Sequence, residues 1–207
     1  MRFVKCLGVG VLLLSVPAFG QFKLDVSGDS VPGEVPAAIA SSLGSTGVKV
    51  SNGNVGYCEL WFVKSLPTGA AGNEQDVTLP TIPVGAVLGV IRFDGKSADR
   101  RGQGIAAGLY VLRYVQMPVN GAHVGAAPQR DFAAMVPVAV EKGGNPNLEE
   151  TIAMSTKATG TAHPGVLSLA PGSGQVTLTK EGDHDWTLNT KIGDVAISII
   201  VSGKSEG

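Results

Sequence analysis

Charge is scarce in this chain. Asp, Glu, Lys and Arg make up 16% of its 207 residues, against about 25% in an ordinary soluble domain, so Ser, Thr and Gly must cover much of the surface. The charges that are present nearly cancel, 16 basic against 17 acidic. That balance gives no support to binding of nucleic acid or an anionic membrane. Cysteine is scarcer still, with only Cys6 and Cys58. Long apolar runs are missing apart from residues 6–16, and that run is about half the length of the roughly 20 residues a spanning helix needs. No transmembrane segment is expected. Several catalytic signatures are absent too: the P-loop, the G-x-S-x-G elbow, H-E-x-x-H and C-x-x-C. Each absence removes one well-defined class of enzyme.

The short apolar run has the setting of an export signal. Arg2 and Lys5 form a basic head, residues 6–16 an apolar stretch, Pro17 a helix breaker, and Ala18-Phe19-Gly20 places small residues where a signal peptidase reads them. Cleavage is expected after Gly20. A lipid anchor would require Cys directly after the small-residue site, and Gln21 stands there. The organisation expected is therefore residues 1–20 as signal peptide and residues 21–207 as a single β-rich domain, exported to the periplasm or the extracellular medium. Loss of Arg2 and Lys5 leaves 14 basic against 17 acidic residues, a net charge near −3. Loss of Cys6 leaves Cys58 alone, so no intramolecular disulfide can staple the domain and its core or a ligand must hold it. Cys58 alternates with Leu60 and Phe62 on one strand face, which reads as a buried, inert thiol.

Gly and Pro are abundant, 29 and 12 residues, together about a fifth of the chain where about 12% is usual. They are scattered between short apolar runs and so read as turns. Residues 55–63, 86–93, 109–116, 131–140, 166–169, 175–179, 186–190 and 195–201 carry strand patterns, and a shorter one covers 77–82. Pro137 suggests an edge or a bulge. The last two strands should pair through a turn at 191–194. Helices are few. Residues 35–43 are Ala-rich, with Pro36 suited to a first turn and Gly44 to the end. Residues 148–157 have helical spacing, with Asn147 as a cap. Many short strands with one or two short helices point to a β-sandwich of jelly-roll type, or alternatively to a closed β-barrel.

Gly102-Gln103-Gly104-Ile105-Ala106-Ala107 has the letters of a dinucleotide fingerprint. That mechanism needs a helix after the glycines to carry the pyrophosphate, and the strand at 109–116 follows too soon. The glycines read as a loop returning to the sheet. His123, His163 and His184 all fall in expected loops at strand ends, where binding residues concentrate. Three imidazoles on converging loops would hold zinc or copper, although spacings of 40 and 21 residues form no local ligand signature. His123 sits in the long Gly-rich stretch at 120–131, the first place to look for a site. A second polar set joins Asp99, Arg100 and Arg101 to Arg130 and Asp131. It reads either as a grip on a carboxylate or sugar, or as ion pairs that pin two loops to the sheet. Trp61 and Trp186 lie in alternating strands and read as core packing in preference to sugar-stacking platforms.

Several blocks together resemble a family of uncharacterised secreted bacterial proteins. They are Glu59-Leu60-Trp61-Phe62, Arg101-Gly102-Gln103-Gly104-Ile105, Gly108-Leu109-Tyr110-Val111-Leu112-Arg113-Tyr114, Gly121-Ala122-His123-Val124-Gly125, Arg130-Asp131-Phe132 and His163-Pro164-Gly165-Val166-Leu167-Ser168-Leu169. The likeness spans roughly residues 55–170. It implies a bacterial envelope location and a β-rich domain, and it carries over no catalytic residue because the family brings no known activity. The function expected is non-catalytic: an exported protein that binds a small molecule or an envelope component, or serves the structure of the envelope. The alternative is a zinc or copper protein using the loop histidines.

Overall fold

A computed structural model of the chain describes residues 21–119 and 127–205. The strands in chain order are β1 (Phe22–Ser27), β2 (Gly47–Asn52), β3 (Val55–Phe62), β4 (Val87–Phe93), the short β5 (Ser97–Ala98) and β6 (Gly104–Ile105), β7 (Gly108–Gln116), β8 (Asp131–Pro137), β9 (Val166–Pro171), β10 (Thr177–Glu181), β11 (Asp185–Ile192) and β12 (Val195–Ser202). Ten of them form one antiparallel sheet in the order β1-β2-β3-β4-β7-β8-β9-β12-β11-β10. Its two outer strands, β1 and β10, come into contact, and the rings of Phe22 and Trp186 meet across that seam at 5.2 Å. The protein is thus mainly β, a sheet nearly closed into a barrel. Of the two architectures compatible with the sequence, the strand order is that of the barrel. Near-closure also leaves little open edge for pairing with other chains.

Strand alternation sorts the side chains into an inner and an outer set. Tyr114, Ala133 and Leu167 stand in register across β7, β8 and β9, and Leu169, Ile199 and Leu188 continue the row across β12 and β11. All are buried. The alternate residues Val115, Phe132, Ala134 and Val166 form a second cluster on the outer face. The long helix α2 (Leu148–Thr159) covers it with Leu148 and Ile152. Thr151, Ser155 and Ala158 are the helix residues most deeply buried, so small side chains let its backbone approach the sheet. Asn147 caps α2 by accepting from Glu150 N, and the Glu150 side chain accepts from Asn147 N in return, 2.9 Å each. This reciprocal cap satisfies two otherwise orphaned helix donors. Gly160, at φ 68°, ends the helix in the left-handed region.

Three local expectations differ from the structure. The Ala-rich stretch makes only one turn of helix, α1 (Ala37–Ala40), because the hydroxyls of Ser41 and Ser42 bond back to the carbonyls of Ala38 and Ile39 and Leu43 is drawn into a bridge with Val63. Residues 77–82 are not a strand: the N–H groups of Thr78 and Leu79 are taken by the carboxylate of Asp131. Pro137 ends β8 in the middle of the sheet, between β7 and β9, and a single 3-10 turn, Val138–Val140, follows it. The strands β1 and β2 carry no clear sequence pattern and pair over their whole length. No described helix is long and apolar enough to cross a membrane.

Candidate functional site

Five charged side chains are almost fully removed from solvent: Glu59, Asp99, Arg113, Asp131 and Glu141. A buried charge is tolerated only when paired and hydrogen-bonded, and each of these is spent on holding a loop or, for Glu59, on tying β3 to β1 and β4. Asp131, at the start of β8, accepts from Thr78 N (2.7 Å), Thr78 Oγ1 (2.8 Å), Leu79 N (3.2 Å) and the Tyr114 hydroxyl (2.5 Å). It ties residues 74–82 across the end of the sheet, where Leu79 and Ile82 join the main core. The neighbouring Arg130 adds bonds to the carbonyls of Met117 (2.5 Å) and Gln75 (3.0 Å) and an ion pair with Glu74 at 3.1 Å. Burial and the adjacent Asp131 carboxylate both push the Tyr114 hydroxyl well above its ordinary pKa.

Asp99 does the same for the glycine loop. It accepts from Arg101 N (3.0 Å), Gln103 N (2.8 Å) and Gln103 Nε2 (2.8 Å). Gln103 then reaches the carbonyl of Pro164 at 3.1 Å and accepts from Thr161 Oγ1 at 2.7 Å, so the loop that carries His163 is stitched to it. β7 begins at Gly108, directly after β6 and without an intervening helix, so no helix N-terminus stands behind these glycines. Arg100 pairs with Asp185 at 2.6 Å. The polar set seen in the sequence therefore acts as two separate clamps: Asp99, Arg100 and Arg101 on one loop, Arg130 and Asp131 on another.

The remaining buried charges, Glu59 and the Arg113–Glu141 pair, were not singled out in the sequence as site residues. Glu59, on β3, accepts from Ser27 Oγ and from Arg92 Nη2 (2.5 Å). Burial raises the pKa of its carboxyl, and the charge of Arg92 opposes that shift. The Arg92 guanidinium lies over the Trp61 ring at 5.5 Å and also faces Asp94 (3.5 Å) and Asp29 (3.8 Å). A cleft of about 640 Å³ opens beside it, lined by Asp29, Glu34, Arg92 and Asp94 among others. Trp61 itself is fully buried beneath and offers no stacking platform. Arg113, on β7, makes a two-pronged pair with Glu141, Nη2 to Oε1 at 2.6 Å and Nε to Oε2 at 2.9 Å. Its Nη1 donates to the carbonyl of Gly85 at 2.6 Å. The hydrogen bonds and charge of Arg113 outweigh the cost of burial and hold the Glu141 carboxyl below its usual range. The signal that marks both residues is a lone charge inside an otherwise apolar strand: Glu59 between Cys58 and Leu60, Arg113 between Leu112 and Tyr114.

The Arg113–Glu141 pair stands behind one wall of a largely apolar recess. Residues 138–146 leave β8, run beside α2 and return to its first turn. A groove of about 580 Å³ lies between them, with Val140, Pro146, Ala153 and Met154 among its walls and Lys142, Glu150 and Lys157 at its rim. Glu150, Ala153, Met154 and Lys157 follow the i, i+3, i+4, i+7 spacing of one helix face. Gly143 donates to Glu141 Oε1 at 2.7 Å, so the same carboxylate fixes the loop's bend. Gly85 lies directly beneath: with φ at 84°, it has room for no side chain, since a Cβ there would stand 2.1 Å from the Pro146 carbonyl oxygen. The loop is thus seated on the sheet from below and latched by a buried ion pair.

Among the histidines, His163 and His184 stand in exposed loops. His184 lines a cleft of about 370 Å³ with Arg100, Glu181, Asp183, Asp185 and Lys204. His123 lies outside the described residues, as does most of the long loop that contains it. Among the described residues no three His, Cys, Asp or Glu side chains form a group able to hold a metal ion. Cys58 is buried, and burial together with the carboxylates of Asp94 and Glu59 drives its pKa far above the ordinary thiol value. Comparison with family models, with curated proteins and with solved structures returns no match.

Proposed function

We propose that this is an exported bacterial barrel protein that holds a small molecule in the groove between α2 and residues 138–146 without transforming it. The observation that carries this reading is the groove itself: apolar walls of ligand-binding size, held in place by the latch of Arg113 on Glu141. An apolar recess that is not braced tends to collapse on its own walls, and the price of burying an ion pair is several kcal/mol per ion before pairing. Here the pair anchors the loop wall to β7. Preformed sites of this kind lose little freedom on binding.

The non-catalytic part of the reading rests on how the buried charges are used. Glu59, Asp99, Arg113 and Asp131 all engage partners within the chain, which makes them braces and not proton donors or acceptors for an outside molecule. Five of the six blocks that resemble the secreted family hold bracing residues, Glu59 on β3, Gln103 and Pro164 at the loop stitch, Arg113 on β7, Arg130 and Asp131 at the start of β8; the sixth, at 121–125, lies outside the described residues. The resemblance is thus one of residues that hold a fold. Export is proposed from the basic head, apolar run and small-residue site of residues 1–20. Sequencing of the mature protein should begin at Gln21, and a full-length chain recovered from the cytoplasm would count against export.

The groove is tested with Nile red, an uncharged apolar dye. Ala153→Trp places an indole in the groove from the helix face, where Ala153 is exposed. The expected result is saturable dye binding to wild type, lost in the variant while circular dichroism and melting temperature stay the same. Equal binding by both proteins would refute the groove as the site.

A further inference from the structure

We infer that the groove's ligand is a single-chain amphiphile with an anionic head group; the inference rests on the groove reading above and specifies its chemistry. The argument is one of charge complementarity. Three charged side chains line the groove: Lys142 on the loop wall, and Glu150 and Lys157 on α2. The Glu150 carboxylate is turned to the helix start, where Asn147 N donates to it at 2.9 Å, so it is already engaged by the cap. Lys142 and Lys157 are exposed, and no described ion pair involves either. Glu141 lies behind the loop wall, but Arg113 matches its charge. The rim therefore presents two ammonium groups without a carboxylate partner above an apolar floor.

The layout along the helix fits such a molecule. Glu150 and Lys157 are seven residues apart, about 10 Å along an α-helix axis. Ala153 and Met154 lie between them, on the same face. An alkyl chain laid on Val140, Pro146, Ala153 and Met154 removes apolar surface from water on both sides, and Met154 supplies an unbranched side chain able to adjust to it. The head group then meets the Lys157 ammonium, away from the capped Glu150, with Lys142 contributed by the loop wall. Neither half of this is sufficient alone: exposed lysines hold a small anion weakly in water, and the apolar floor by itself does not select a head group. Together they favour a molecule carrying both.

The test measures the binding of three probes that share a twelve-carbon chain, each below its micelle concentration: dodecanoate, dodecanol and dodecyltrimethylammonium. Titration calorimetry on the mature protein should give one dodecanoate per chain, bound at least tenfold more tightly than dodecanol, with dodecyltrimethylammonium weakest. Lys142→Glu with Lys157→Glu should erase the preference for dodecanoate and leave dodecanol binding in place. Ala153→Trp should remove all binding. Equal affinity for dodecanoate and dodecanol would overturn the inference and leave the groove reading standing. Binding of none of the three would overturn both. Adsorption to phosphatidylglycerol vesicles without binding of dodecanoate would also overturn it, since the surface would then recognise a bilayer and not a single chain.

Discussion

Asp131→Asn isolates the clamp that closes one end of the sheet. The substitution keeps size and shape and exchanges one carboxylate oxygen for an NH2 group. Oδ2 receives Thr78 N and Thr78 Oγ1, while Oδ1 receives Leu79 N and the Tyr114 hydroxyl. The hydroxyls of Thr78 and Tyr114 can rotate to accept, but a backbone N–H cannot. Whichever way the amide is turned, its NH2 therefore faces a backbone donor. One bond to a charged acceptor, worth about 1.5–3 kcal/mol, is lost, and a buried N–H is left unpaired for about 1–3 kcal/mol more. A net loss of about 3 kcal/mol follows once relaxation is allowed. For a domain of this size that corresponds to about 6–12 °C in melting temperature. Urea unfolding should show a lower midpoint with an unchanged slope. Limited proteolysis should find new cleavage at residues 74–82, which lose their tether. A melting temperature within about 2 °C of wild type would refute the claim that this carboxylate pins the segment.

The buried pair of Arg113 and Glu141 predicts a reversal. Arg113→Met strands a buried carboxylate and should cost about 3–5 kcal/mol, whereas Arg113→Met with Glu141→Leu should recover much of that loss; urea midpoints that fall equally or further in the double variant would contradict the latch. The folded protein holds the Glu141 carboxyl below its ordinary pKa, so the stability it contributes is full above the usual glutamate range near about 4.3 and is lost as pH falls through the lowered folded value. The stability gap between wild type and Glu141→Gln should accordingly narrow as pH falls, and a constant gap would contradict this. Glu59, raised by burial, has the opposite sign: its ionisation weakens the fold as pH rises from the usual carboxylate range through its folded value. Cys58 is fully buried, with a strongly raised pKa, so a thiol reagent at neutral pH should label it only as fast as the protein opens, and rapid labelling of the native protein would show the strand face to be accessible.

Local pattern and turn chemistry were enough to identify several elements. The β-branched and aromatic content of residues 109–116, the strand pattern of 195–201, the Asn147 cap of α2 and the short turn between the last two strands each depend on neighbours within a few positions, and each of these elements is present. The burial of Cys58 was legible for the same reason, since it shares a strand face with Leu60; Trp61, on the opposite face with Glu59, was read as packing from its strand setting and is buried too. Other features depended on distant partners. Residues 77–82 have strand letters and form no strand, because Asp131, more than fifty residues away, takes their N–H groups. The sequence could hold Arg130 and Asp131 as either a grip or a brace, and only Thr78, Leu79 and Glu74 brought to them from another segment decide for the brace. Joining ten strands into one nearly closed sheet, rather than splitting them between two, is a matter of long-range pairing such as β9 with β12. The groove is likewise a tertiary product. Its walls, residues 138–146 and α2, are adjacent in sequence, but the loop wall is anchored by Arg113 and Gly85 reaching it from the sheet. Periodicity reports which residues seek the interior; it does not report which buried charges meet there, because the energy of such a pair depends on distance and geometry that only the folded chain supplies.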